Sequence, residues 1–121
     1  MINKPKYKIA RRLGANIYEK TQTPKSAMRA ERKGGKGPYR PKGEYAIAML
    51  EKQKVRYTYG ILERQFRKYV RESADRAGIN TAQALYERLE TRLDNVIYRL
   101  GIASTRLGGR QMVSHGHVTV N

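Results

Sequence analysis

After residue 43 the chain is divided by three glycines, Gly60, Gly78 and Gly101, into stretches whose apolar residues recur every three or four positions. That period belongs to amphipathic helices, and a glycine closing each stretch is where a helix stops. The stretch "EYAIAMLEKQKVRYTYG" puts Ile47, Met49 and Leu50 near one face. In "ILERQFRKYVRESADRAG" the apolar set is Ile61, Leu62, Phe66, Tyr69 and Val70, while the other face carries Arg64, Arg67, Lys68 and Arg71. "NTAQALYERLETRLDNVIYRLG" spaces Leu85, Leu89 and Leu93 four apart and continues through Val96, Ile97 and Leu100. Asn80 or Thr81 suits its N-cap, and Asp94, another good N-cap type, predicts a break near Thr91–Asp94. A last short helix capped by Ser104 would hold Arg106 and Arg110 on one face, and "HVTVN" alternates as a strand does. The fold class is therefore mainly α.

Charge narrows the partner. The 121 residues hold 26 Lys+Arg against 10 Asp+Glu, a net charge of +16, which points to a polyanion. The excess is uneven: Met1–Lys42 carries half of the basic residues and only Glu19 and Glu31 among the acids. That segment also has little apolar periodicity, two pairs of prolines and the run "ERKGGKGPYRPKGEY", so it is expected to be an extended basic arm that orders on binding. Tyr7, Tyr18 and Tyr39 lie among its basic residues, where a ring can stack on a base or ribose. No cysteine is present, which removes disulfides and zinc–thiolate sites. No segment reads as a signal peptide or approaches the roughly 20 apolar residues of a membrane span, so a soluble, intracellular protein without a membrane partner is expected.

Catalysis finds little support in these residues. The only histidines are His115 and His117, and zinc would need further ligands although no acidic residue follows Asp94. Ser114 beside His115 has no orienting acid nearby, and adjacent side chains rarely face each other. "KGGKGP" lacks the GxxxxGK[ST] spacing that wraps a phosphate. No enzyme activity, cofactor or metal is expected. The same residues suit an anion-gripping patch: Arg106 and Arg110 offer planar guanidinium forks, with Gln111, His115 and His117 close behind in sequence. Composition alone fits DNA as well as RNA.

Four stretches, "EKQKVRYTYGILERQF", "LERQFRKYV", "RLDNVIYRLG" and "STRLGGRQMVSHGHVTVN", resemble the bacterial type of small-subunit ribosomal protein S four, the universal uS-four family. The similarity runs from about Glu44 to Asn121, with a looser match in "KYKIARRLG", which contains Lys8, Arg11 and Arg12. It implies a helical, rRNA-binding first domain over 44–91, preceded by the basic arm over 1–43. A partial αα-β RNA-binding module of the S-four type would follow over 92–121. It implies early binding at a multi-helix junction in the 5′ domain of small-subunit rRNA, a structural role in the small ribosomal subunit, and effects on translational accuracy. Implied partners are that rRNA, neighbouring small-subunit proteins, notably the fifth protein, and mRNA where it enters the subunit. The location implied is the bacterial cytoplasm, although organelles use relatives too.

Carried over by position, the module's RNA-facing residues are Thr105, Arg106, Arg110, Gln111, Ser114, His115 and His117. Leu93, Val96, Ile97 and Leu100 match its core and Asp94 a structural acid. Arg64, Arg67, Lys68 and Arg71 match first-domain rRNA contacts, and Lys8, Arg11 and Arg12 supply contacts from the arm. Three departures stand out. The cysteine zinc knuckle of many members is absent. Gly108 and Gly109 cost a helix roughly 1 kcal/mol each relative to Ala, which predicts a loose helix until RNA holds it. The family's further strands do not follow "VTVN", so the chain is expected to be a fragment whose lone strand cannot make a sheet. The alternatives are a free-standing RNA-binding regulator and a non-specific polyanion binder outside the ribosome.

Overall fold

The computed structural model describes residues 5–32, 43–76 and 78–121. Among these are seven α-helices: α1 (Lys6–Leu13), α2 (Pro24–Arg32), α3 (Glu44–Tyr59), α4 (Glu63–Ala74), α5 (Thr81–Glu90), α6 (Leu93–Arg99) and α7 (Arg106–Ser114). A 3-10 turn over Glu19–Thr21 lies between α1 and α2. The chain divides into two compact units, the first ending at Thr58 and the second beginning at Tyr59.

The first unit departs from the expected extended arm, since helices and a turn occupy much of 6–32. Its two described prolines start helices instead of breaking them: Pro5 takes the extended N-cap position of α1 and Pro24 is the first residue of α2. A missing N–H is harmless there, because the first amides of a helix have no partner within it. Ala10 and Leu13 of α1 are buried, whereas Lys8, Arg11 and Arg12 are exposed. The Thr21 hydroxyl, buried in the turn, donates to the Tyr18 carbonyl at 2.7 Å and accepts from its N–H at 3.3 Å. Along α3 no side chain is fully buried; Met49 and Leu50 are half-buried and Ile47 is exposed, so the predicted apolar face is only partly covered. Residues of α1 and α3 line an open groove of about 710 Å³ that includes Lys8 and Arg12. Tyr39 and the "KGGKGP" run lie outside the described residues.

The second unit has the larger core: Ile61, Phe66, Ala84, Leu89, Ile97 and Ala103 are all buried. Within it α4 packs on α5, and α6 on α7. Leu62 and Val70 are exposed and Tyr69 is half-buried, so the buried stripe of α4 is narrower than the sequence predicts. Leu100, expected in the core, is 69% exposed because it is the C-cap of α6, past the helix's last packed turn. Asn80 caps α5, its side chain accepting from the Ala82 N–H at 2.9 Å. The break between α5 and α6 lies at Thr91 and Arg92, but Arg92 takes the N-cap position and Asp94 falls in the first turn. The cap of α7 is Thr105 in place of Ser104; its hydroxyl accepts from the Gly108 N–H at 3.0 Å. Residues 117–121 form no strand, since an extended segment becomes one only when a neighbouring strand supplies ladder hydrogen bonds.

The glycine pair of α7 reads differently in three dimensions. Gly109 is buried, and a Cβ there would lie 2.6 Å from the Asp94 carbonyl oxygen. The missing side chain is therefore what lets α7 reach the backbone of α6, and the close contact holds the helix that propensity alone predicts to be loose.

Candidate nucleic-acid interface

Arg106 and Arg110 do share a face of α7, as four-residue spacing requires, and that face turns inward. All three nitrogens of Arg110 donate within the second unit. Nε and Nη2 reach Oδ2 of Asp94 at 2.8 and 2.6 Å, Nη2 also reaches the Tyr59 carbonyl at 2.9 Å, and Nη1 reaches the Gly60 carbonyl. The two carbonyls lie where α3 ends and Gly60 turns the chain with φ 62°, a left-handed value that a side chain would strain. Carbonyls at a helix C-terminus lack partners within the helix, and a guanidinium suits both their hydrogen bonding and the negative end of the helix dipole. Asp94 also takes a two-pronged contact from Arg92, Nε to Oδ1 at 3.0 Å and Nη2 to Oδ2 at 2.9 Å, while Arg92 Nη1 donates to the Tyr69 hydroxyl at 2.7 Å. Burial would by itself raise the Asp94 carboxyl, but the hydrogen bonds from Arg92 and Arg110 outweigh it and hold the group below the usual carboxylate range.

Arg106 completes the inward set. Its Nε donates to Oδ1 of the buried Asn95 at 2.8 Å, and its guanidinium carbon stands 4.4 Å from the Tyr98 ring centroid and 5.2 Å from that of Tyr59. Asn95 in turn donates to Glu90, to the carbonyl at 3.1 Å and to Oε2 at 2.9 Å. Glu90 accepts two parallel bonds from Arg99, both 2.9 Å, and one from the Tyr59 hydroxyl. The Arg99 bonds, foremost, draw the Glu90 carboxyl down to about 2. Burial and the hydrogen bond to Glu90 push the Tyr59 hydroxyl up to about 12. Two carboxylates thus organise the arginines at the centre of this unit.

The outward surface is made by other residues. Arg64, Arg67, Lys68 and Arg71 are exposed along one stripe of α4, at the spacing that aligns successive turns. Arg67 and Lys68 lie 3.5 and 3.7 Å from Glu63 and Glu72, with 78% and 71% of their side chains still open to water. At the end of α7, Gln111, Ser114, His115 and His117 are exposed, and the two imidazole rings lie 5.9 Å apart across the turn at Gly116. Thr105 is committed to its capping bond. Lys8, Arg11 and Arg12 form a comparable stripe on α1 of the first unit. Among the described residues no three His, Cys, Asp or Glu side chains cluster as metal ligands do, and no helix is long and apolar enough to cross a membrane.

The sequence therefore groups Arg106 and Arg110 correctly with each other, and the structure separates them from Gln111, Ser114, His115 and His117 by direction. Glu90, Asn95, Tyr59, Arg92 and Arg99 escaped the sequence reading altogether. One signal was available: Glu90 and Asp94 are the last two acids of a strongly basic chain, each close in sequence to an arginine.

Comparison with known families matches residues 2–90 to the Ribosomal protein S4/S9 N-terminal domain and residues 91–121 to the S4 domain. Curated relatives bear the name small ribosomal subunit protein uS4. That of Akkermansia muciniphila is 47% identical over 118 residues, covering 97% of this chain and 58% of the relative. That of Roseiflexus castenholzii is 51% identical over 120 residues, with 97% and 57% covered, and that of Cutibacterium acnes 48% identical over 118, with the same coverage. The chain thus spans somewhat under three-fifths of the length of these relatives.

Proposed function

The chain belongs to the uS4 family of small-subunit ribosomal proteins, and from that premise we propose that it is a structural, non-enzymatic constituent of the small ribosomal subunit that binds and folds a multi-helix junction in the 5′ domain of small-subunit rRNA. The observation that carries this is the pair of exposed basic stripes, Arg64, Arg67, Lys68 and Arg71 on α4 and Lys8, Arg11 and Arg12 on α1. Cations aligned on a helix face neutralise successive phosphates and position the protein without reading sequence. Gln111, Ser114, His115 and His117 add amide, hydroxyl and imidazole groups able to bond ribose hydroxyls and base edges at a splayed junction.

In this proposal Thr105, Arg106 and Arg110 serve recognition chiefly by holding α7 in place. Neighbouring small-subunit proteins, the fifth among them, mRNA where it enters the subunit, and an influence on translational accuracy belong to the same proposal, with the bacterial cytoplasm as the location. The test is binding of this chain to a 5′-domain rRNA transcript and to a scrambled RNA of equal length across a salt series. A preference of about 100-fold, roughly 2.7 kcal/mol, surviving near-physiological salt is the expected result. Equal affinities that collapse together as salt rises would instead mark a non-specific polyanion binder.

A further inference from the structure

We propose that Glu90 and Asp94 determine RNA specificity by withholding Arg92, Arg99 and Arg110 from phosphate, so that RNA of the wrong shape meets fewer usable cations. This inference rests on the RNA-binding function proposed above. Non-specific binding scales with the number of cations that can reach a phosphate, whatever the sequence or shape of the RNA. Unpaired arginines would be the strongest contributors, because the guanidinium fork fits a phosphate as well as a carboxylate.

Two kinds of cation in the second unit differ in how firmly they are held. Arg92, Arg99 and Arg110 each place two nitrogens on a carboxylate at 2.6–3.0 Å. The carboxylates are fixed in turn, Asp94 by burial and by accepting from the Asn95 N–H at 3.0 Å, Glu90 by Asn95 and Tyr59. On α4, by contrast, Arg67 and Lys68 approach their acids singly and at longer range, and they remain mostly exposed. An exposed pair of that kind is worth little and gives way to a phosphate. A two-pronged pair on an anchored carboxylate does not, since phosphate would have to displace both bonds and leave the acid unpaired. Packing alone does not account for all three clamps: Arg99 keeps 54% of its side chain exposed and could reach solvent anions if Glu90 released it.

The test is Glu90→Gln in the full chain, which keeps the side chain's shape and removes its charge. Asp75→Asn is the control, because Asp75 is exposed at the end of α4 and its loss changes net charge equally. Each variant is titrated with the 5′-domain transcript and the scrambled RNA across salt, with helicity followed by circular dichroism. The inference expects Glu90→Gln to steepen the salt slope on scrambled RNA by about 0.7–0.9, one more phosphate contact. Scrambled RNA should bind about threefold tighter, with the preference for the transcript falling by a similar factor. Adding Arg99→Gln should restore the wild-type slope. Asp94→Asn removes the shared counter-charge of Arg92 and Arg110 but leaves Arg110 on the Tyr59 and Gly60 carbonyls and Arg92 on the Tyr69 hydroxyl, so it should steepen the slope in the same direction if helicity is retained; if it unfolds, the Glu90 series decides alone. A slope equal to that of Asp75→Asn, or weaker binding to both RNAs, would overturn the inference while leaving the proposed function intact. Failure of the wild-type chain to bind either RNA would overturn both.

Discussion

Among the described residues the first unit buries two apolar side chains, Ala10 and Leu13, and the second buries six, from Ile61 to Ala103. Helix α1 and the α6–α7 pair treat arginine differently as well. Arg11 and Arg12 on α1 stand in solvent, whereas Arg92 and Arg110 are drawn onto Asp94 with 17% and 28% of their side chains exposed. The same side chain is a surface charge in one place and a structural clamp in the other, and what decides is whether an anchored carboxylate lies within reach. Among the described residues the first unit therefore has modest packing to oppose its chain entropy and displays Lys8, Arg11 and Arg12 outward, while the second adds a polar framework to its core.

The largest effect that would sharpen this contrast is expected from Phe66→Ala, a loss of about 3–5 kcal/mol in urea unfolding, because the ring is buried in the larger core. The matching change in the first unit, Leu50→Ala on half-buried α3, should cost about 1 kcal/mol or less, scaled by the partial burial of the side chain. Equal losses would break the comparison. Asp94→Ala should cost about 3 kcal/mol, since Arg92 and Arg110 would stay partly buried without their counter-charge. A change within about 0.5 kcal/mol would show that the framework adds nothing to stability.

Gly109→Ala is expected to lose about 1–3 kcal/mol by forcing α7 away from the Asp94 carbonyl. Gly108→Ala is the informative neighbour. Its Cβ would lie 3.2 Å from the Thr105 hydroxyl, so a gain in helix propensity of at most about 1 kcal/mol is set against a tight contact at the cap, and the net change in melting temperature should be small. If both alanines behave alike, close approach is not why α7 carries glycine.

Acid should act on the second unit through Glu90. Its carboxyl lies near 2 when folded, below the ordinary carboxylate range, so the unfolded chain takes up the proton first as pH falls. The stability it contributes is present above about pH 5 and is lost on going down toward pH 2. Urea midpoints measured across that window should fall less steeply for Glu90→Gln than for the wild type.

Much of this was legible in the chain. Helical period placed α3 and α4, Gly60 marked the end of α3, and an N-cap type near Asp94 signalled the break between α5 and α6, because those signals are local and a helix makes its hydrogen bonds within itself; α4 stops at its C-cap Asp75, short of the expected Gly78. The motifs also pointed to the family. Local signals misread the stretch that holds α1 and α2, where Pro5 and Pro24 looked like breakers and turned out to begin helices; a proline's meaning depends on whether its position needs an N–H.

Direction is what the sequence by itself could not supply. Spacing puts Arg106 and Arg110 on one face of α7, and nothing in the spacing says whether that face meets solvent or Asp94. The answer depends on α6 lying against Gly109, and on Tyr59 and Gly60, some 50 residues earlier, offering their carbonyls to the same guanidinium. Composition pointed to a polyanion as the partner. Only the tertiary structure decided which cations are free to meet it, because a guanidinium is committed by the carboxylates and carbonyls that the fold brings within about 3 Å.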